Sequence, residues 1–242
     1  MTDRTPRSVL EVQGLYAGYG PTTVVRNLDL HVNAGEVVAL LGPNGAGKTT
    51  TLLTAAGLLP SQAGTVTVLG RSCDSRRPWR GARRGVALVA EERAVFFDLT
   101  VRENLQLGIR GSRKQGLAAT FGYFPALAHL LDRQAGLLSG GEQQMLALAR
   151  ALVGQPKVLM VDEMSLGLAP VIVQRLLPIL RRVADEQQVG VLLVEQHVHM
   201  ALAVADRSYV LKHGELVMSG AAKELSKRSD LLAAEYLGGA AL

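Results

Sequence analysis

Apolar residues along the chain follow two alternating patterns. Val37 to Leu41, Val158 to Val161 and Val191 to Val194 are unbroken apolar runs. Runs of that length predict strands buried on both faces. Val9 to Leu15, Leu28 to Val32, Gly64 to Gly70 and Gly85 to Ala90 predict further strands. Helical patterns fall between them. One runs from Lys48 to Leu59. A second starts at Thr100, with Glu103 three residues on, the spacing of a capping box. Tyr123 to Leu131 predicts a third. Glu142 to about Val153 predicts a fourth, stopped by Gly154-Gln155-Pro156. A fifth opens at Pro170 and should be kinked by Pro178. Gly108 to Gly122 is interrupted by glycine and has no clear period. Ser208 to Leu211 and Glu215 to Ser219 flank His213-Gly214 and predict a hairpin, and Ala221 to Leu242 a short helix or two. Strands alternating with helices predict an α/β fold with a parallel core.

Composition sets limits on this picture. The 242 residues are 48% hydrophobic but only 4% aromatic, so the core must be built mainly from Leu, Val and Ala. The formal charge is +5, a mild excess that does not form one continuous run. Arg76, Arg77, Arg80, Arg83 and Arg84 lie in a polar stretch from Cys73. That stretch is either a solvated helix face or a surface that meets an acidic partner. Cys73 is the lone cysteine, so no intrachain disulfide forms. The N-terminal MTDRTPRS lacks an apolar leader core, and no apolar run approaches the length of a membrane span. A cytoplasmic protein is expected, with any membrane role arising through partners.

The candidate chemistry begins at Gly42-Pro43-Asn44-Gly45-Ala46-Gly47-Lys48-Thr49-Thr50. This matches the phosphate-loop spacing, after a buried strand and before a helix. Gly42, Gly45 and Gly47 let the backbone curl and turn its N–H groups inward. Lys48 brings a point charge to the outer phosphates, and Thr49 a hydroxyl to Mg²⁺. Leu138-Ser139-Gly140-Gly141-Glu142 is a second anion-binding helix start. The strand after it ends in Asp162 and Glu163. Asp162 suits Mg²⁺, and Glu163 suits orienting and polarising an attacking water, the division of labour that phosphoryl transfer needs. Glu91 also ends a strand where it can face a nucleotide. Glu195-Gln196-His197 closes another strand, where a polar group can sense a γ-phosphate. His197 and His199 lack the further spaced ligands of a metal site. Tyr19 is either an ordinary turn tyrosine or a platform for an adenine ring.

The phosphate loop, LSGGEQQ from Leu138 to Gln144, and the apolar strand ending in Asp162-Glu163, in that order, resemble the ATP-binding cassette (ABC) ATPases. Ser165 to Pro170, Val194-Glu195-Gln196, Val89-Ala90-Glu91 and the closing Tyr236-Leu237-Gly238-Gly239 look more specifically like an ATP-binding subunit of branched-chain amino acid importers. The resemblance implies one nucleotide-binding domain over about residues 9–238. It would have a RecA-like core, an N-terminal antiparallel β part and a helical subdomain near residues 95–154. It implies ATP and Mg²⁺ as ligands. Tyr19 would stack on adenine, and Gly42 to Thr50 would hold the phosphates. Thr49, Glu91 and Asp162 would serve the metal. Glu163, Lys48 and Gln196 would serve the chemistry. Ser139, Gly140 and Gly141 would close on ATP held by the opposite subunit of a head-to-tail dimer, with a second cassette or with itself. Two membrane permease subunits and, indirectly, a substrate-binding protein complete the implied assembly at the cytoplasmic membrane face, with no role for nucleic acid. Related ATPases serve urea and short amides. A cassette that mainly binds ATP beside a more active partner is the alternative. Three positions depart from the general family. Glu91 replaces a glutamine, Gln196 stands where a histidine is usual, and Met164 replaces a proline.

Overall fold

The computed structural model describes residues 7–109 and 113–228. The chain opens with β1 (Ser8–Tyr19) and β2 (Thr22–Asn33), both longer than the apolar pattern predicts. β3 (Val37–Leu41), α1 (Lys48–Ala55), β4 (Ser61–Val68), β5 (Arg71–Ser72), α2 (Trp79–Arg84) and β6 (Val86–Val89) follow. The next stretch is helical: α3 (Val101–Gly108), α4 (Arg113–Tyr123) and α5 (Gly140–Leu152). Then come β7 (Val158–Asp162), α6 (Pro170–Gln187), β8 (Gly190–Glu195), α7 (Val198–Leu202), β9 (Arg207–Lys212), β10 (Glu215–Ala221) and α8 (Ala222–Ser226).

Two sheets result. One is antiparallel, in the order β2-β1-β4-β5. The other runs β10-β9-β3-β8-β7-β6 and is parallel except for β10 at its edge. β3, β7 and β8 are buried at every residue. Their side chains alternate between two cores, as the period of two requires. Val37, Ala39, Leu41, Leu159, Val161, Val191 and Leu193 join the helices, including Leu146 and Leu148 of α5 and Leu180 of α6. Val38, Leu40, Met160, Leu192 and Val194 face Leu52 of α1 and the antiparallel sheet. Each sheet therefore covers a face that the other leaves apolar.

Several expected elements differ. Tyr123 to Leu131 is not a helix. α4 ends at Tyr123, and only a short 3-10 turn, Pro125–His129, follows. Pro125 lacks the N–H needed to continue α4. Conversely, α4 occupies much of the glycine-interrupted stretch. Gly116 leaves no room for a side chain there, because a Cβ would lie 2.4 Å from the Val153 carbonyl oxygen. Glycine in this helix thus serves close packing on the end of α5. α1 stops at Ala55, short of Leu59. Tyr236 to Gly239 lies outside the described residues.

The two sheets are tied by an ion pair. Arg207, opening β9, pairs with Glu36 beside β3. It also donates to the His31 carbonyl on β2 at 2.9 Å and to the Tyr209 hydroxyl at 2.8 Å. Burial by itself raises the Glu36 carboxyl, but Arg207 and the Asn33 N–H outweigh it and hold it below its ordinary value. A lowered carboxyl adds stability above its unfolded pKa and loses it as pH falls through the folded one. Glu36→Gln is therefore expected to cost about 1–3 kcal/mol at pH 7. The difference from the parent should shrink once acid protonates Glu36. Urea unfolding at pH 7 and at successively lower pH checks both statements.

Candidate functional site

The parallel strands deliver their carboxyl ends to one edge of the sheet. There β3 gives way to Gly42, β7 ends in Asp162 and gives way to Glu163, β8 gives way to Gln196, and β6 to Ala90 and Glu91. The phosphate loop can bend as it does because Gly42, Gly45 and Gly47 all have positive φ. Gly42 also lies against β9, where a Cβ would sit 2.4 Å from the Leu211 carbonyl oxygen. The hairpin glycine Gly214 braces the loop from below, donating to the Ala46 carbonyl at 3.1 Å.

A cleft of about 480 Å³ opens beside this loop. Its walls include Tyr19, Lys48, Thr49, Glu91, Glu163 and Leu166. Tyr19 ends β1 and is 53% exposed, so its ring is free to take a flat partner. Asn44 and Gly45 lie on the exposed crest of the loop, with Pro43 half-buried, while Ala46 and Thr50 are buried beneath.

Lys48 is the best-partnered cation of the site. Its side chain is 3% exposed, and its ammonium contacts Glu163 Oε1 at 3.0 Å. It also donates to the Gly42 carbonyl at 2.9 Å and the Pro43 carbonyl at 3.1 Å. These contacts use its full set of three donors. Phosphate oxygens entering the cleft must compete with them. Taking Lys48 from Glu163 leaves that carboxylate free to accept a proton or orient a water.

Thr49 Oγ1 donates to Asp162 Oδ1 at 3.3 Å. Burial, with Glu163 and Glu91 nearby, pushes the Asp162 carboxyl up to about 6 despite the Thr49 bond and Lys48. A hydroxyl beside carboxylates that crowd one another fits a hard dication. Among the described residues, no three His, Cys, Asp or Glu side chains are grouped to hold a metal ion by themselves. Mg²⁺ itself keeps few protein ligands and takes the rest from phosphates and water. Thr49, Asp162 and Glu91 would supply the protein side, where the ion's chemistry is to neutralise phosphate charge.

Ser139, Gly140 and Gly141 stand apart from this cleft. Ser139 caps α5, accepting from the Glu142 N–H, while its own N–H and hydroxyl donate to Glu142 at 2.7 and 2.8 Å. The structure thus brings together the phosphate loop, Tyr19, Glu91, Asp162 and Glu163, and leaves the second glycine motif on a different wall. Gln196 is half-buried at the end of β8, and His197 beside it is exposed. Met164 is 1% exposed and packs into the helical core.

Two residues organise the site without having been assigned a role from the sequence. Arg93, at φ 61°, follows Glu91. Its guanidinium donates to Gln144 at 3.1 Å and Gln143 at 3.3 Å, so the loop after β6 is tied to α5. A bare arginine in a loop carries no sequence signal for this. Glu195 is fully buried, with burial raising its carboxyl. It accepts from the Ser165 N–H at 3.1 Å and hydroxyl at 2.6 Å. Glu195 thereby holds the loop that follows Glu163, itself at a left-handed φ of 37°. A carboxylate at the end of an otherwise apolar strand was the available clue.

Comparison with known proteins agrees with this geometry. Residues 25–165 match the family described as ABC transporter. The high-affinity branched-chain amino acid transport ATP-binding protein BraG of Pseudomonas aeruginosa is 40% identical over 91% of this chain and 96% of its own. The lipopolysaccharide export system ATP-binding protein LptB of Escherichia coli is 33% identical over 90% and 92%. Among solved structures, CbiO1 of Clostridium perfringens, part of the ABC transporter complex CbiONQ, superposes with a TM-score of 0.83. It is 24% identical and covers 94% of each chain, a likeness of fold.

Replacing Glu195 separates its hydrogen bonds from its charge. Glu195→Ala leaves the Ser165 donors buried without a partner and should cost about 1–3 kcal/mol. Glu195→Gln keeps an acceptor and removes the buried charge, so it should unfold within about 1 kcal/mol of the parent. Denaturant midpoints of the three proteins test the ordering.

Proposed function

The chain belongs to the ABC transporter family, and from that membership we propose that it is the ATP-hydrolysing subunit of an importer for branched-chain or related amino acids. Convergence of Lys48, Thr49, Asp162 and Glu163 in one cleft carries the assignment of ATP hydrolysis to this site. Tyr19 stacks on the adenine, and the loop N–H groups with Lys48 take the phosphates. Thr49, Asp162 and Glu91 would hold the Mg²⁺. Glu163, released from Lys48, orients the attacking water, and Gln196 hydrogen-bonds the γ-phosphate. The solute class is supported by likeness to the branched-chain amino acid transport protein. The lipopolysaccharide export relative shows that this level of similarity spans other cargoes.

The cleft is incomplete by itself. The capped start of α5 offers N–H donors but lies outside it, which favours a head-to-tail pair in which Ser139, Gly140 and Gly141 of one subunit close the site of the other. ATP bound at both faces would then hold the pair together, and hydrolysis would release it. A membrane partner has a seat as well. A groove of about 420 Å³ between the parallel sheet and the helical region is lined by Ala82, Leu88, Phe96, Leu107 and Arg150. Phe96 and Leu107 are more than half exposed. Arg150 Nη1 is buried there and has no hydrogen-bond partner among the described residues. An apolar wall with one unanswered donor suits a short helix of a permease subunit that brings a carbonyl or carboxylate. The protein would then work at the cytoplasmic face of the membrane.

Glu91 and Gln196 favour a second reading, in which this cassette mainly binds ATP and its partner cassette does most of the hydrolysis. Mixed dimers with one subunit altered at a time separate the two.

Glu163→Gln should retain ATP binding and lower steady-state hydrolysis by at least about a hundredfold. The assay uses the chain alone and with its partner cassette. Parental turnover in the variant would remove Glu163 from the chemistry. In vesicles carrying the membrane subunits, leucine-loaded binding protein should stimulate hydrolysis. Stimulation by urea or a short amide instead would reassign the cargo.

A further inference from the structure

Counted by segment, the charge of this chain is not spread evenly. Six arginines and one aspartate lie between Arg71 and Gly85, a net +5 that equals the formal charge of all 242 residues. The remainder of the chain is electrically balanced. The segment folds as β5, a turn and α2, and it presents its cations outward. Arg71, Arg76, Arg77, Arg80 and Arg83 are exposed, and Arg84 is half-buried. Elsewhere, arginines such as Arg102, Arg181 and Arg207 pair with carboxylates. Among the described residues, none of the six here forms an ion pair. The segment's one carboxylate, Asp74, accepts from the Arg76 backbone N–H at 3.0 Å. Like charges at three- and four-residue spacing, as in Arg80, Arg83 and Arg84, also work against a helix as short as α2.

Four of these arginines, Arg71, Arg80, Arg83 and Arg84, line a hollow of about 540 Å³ together with Ser72 and Asp74. The same helix borders the neighbouring groove through Ala82, and Gly85 after it lines the groove too. Trp79, the chain's one tryptophan, stands 52% exposed at the start of α2.

We propose that this arginine-lined hollow is a docking surface for an acidic polypeptide segment, continuous with whatever protein occupies the adjoining groove. The link to the groove rests on the permease reading above; the recognition of acidic peptide does not. Charge complementarity fixes the sign of the partner. The choice of residue narrows it further. All six cations are arginine and none is lysine, and the guanidinium fork pairs with carboxylates in two parallel hydrogen bonds. A bilayer surface attracts lysine and arginine alike and needs no hollow. A partner anchored in the groove would raise the local concentration of a tethered acidic stretch, so weak ion pairs would add to one contact. These pairs would be exposed and therefore sensitive to salt.

The test uses the full chain and fluorescein-labelled decaglutamate, read by anisotropy, with decaglutamine as the neutral control. Decaglutamate should bind saturably, shift the Trp79 emission and be released by salt. Arg80→Ala combined with Arg83→Ala should weaken binding by at least about tenfold. ATP binding and basal hydrolysis should not change, since neither residue lies in the nucleotide cleft. Leu107→Ser, in the groove, should leave decaglutamate binding intact, so failure of the permease reading is seen separately. No saturable binding, or equal binding by the double variant with an unchanged melting curve, overturns the proposal. Sedimentation with phosphatidylglycerol vesicles, or retention of a DNA oligonucleotide, without decaglutamate binding would replace the acidic peptide with lipid or nucleic acid.

Discussion

A buried ammonium cannot be left unanswered, and much of this structure follows from how Lys48 is answered. Its charge is withdrawn from water and met by two loop carbonyls and Glu163. Withdrawing a charge is tolerable only with such partners. Glu163 is therefore the carboxylate that neutralises the phosphate-loop lysine. On the proposed reading, a phosphate that displaces Glu163 from Lys48 would also free it to orient a water.

That arrangement depends on loops held from outside the cleft. Gly214 braces the phosphate loop from the β9–β10 hairpin. Glu195 fixes the turn after Glu163, through bonds to Ser165. Arg93 ties the strand end carrying Glu91 to α5. Each contact joins the carboxyl end of one parallel strand to a neighbouring element. The two apolar cores make the underlying sheet a rigid base, because β3, β7 and β8 are buried on both faces.

The outer surface is divided as sharply as the interior. One side of α2 borders the groove lined by Phe96, Leu107 and Arg150, and the other borders a hollow lined by arginines that form no ion pair among the described residues. With the open nucleotide cleft, these are the surfaces where the proposed partner chains would seat.

The local elements were legible in the sequence because their causes are local. Unbroken apolar runs became β3, β7 and β8. The Thr100–Glu103 capping box formed as spelled. Glycines at Gly42, Gly45 and Gly47 took the positive φ that the phosphate loop requires. Misreadings arose where tertiary contact overrode local preference. Gly116 sits inside α4 because the end of α5 comes too close for a side chain, and Pro125 cuts a helical pattern short. The grouping of Tyr19, Glu91 and Glu163 around the loop follows from strand order, which no single segment encodes. The contacts of Arg93 and Glu195 were beyond reach for the same reason, although the carboxylate ending an apolar strand marked Glu195 itself. Their partners lie 51 and 30 residues away, and only the packed sheet with α5 against it brings them together. The sequence thus determined which groups are present for phosphate chemistry, since spacing along the chain specifies a loop or a cap. Tertiary structure decided which of them meet, which charge stays paired and which surface stays open, since those depend on distances between segments that are remote in sequence.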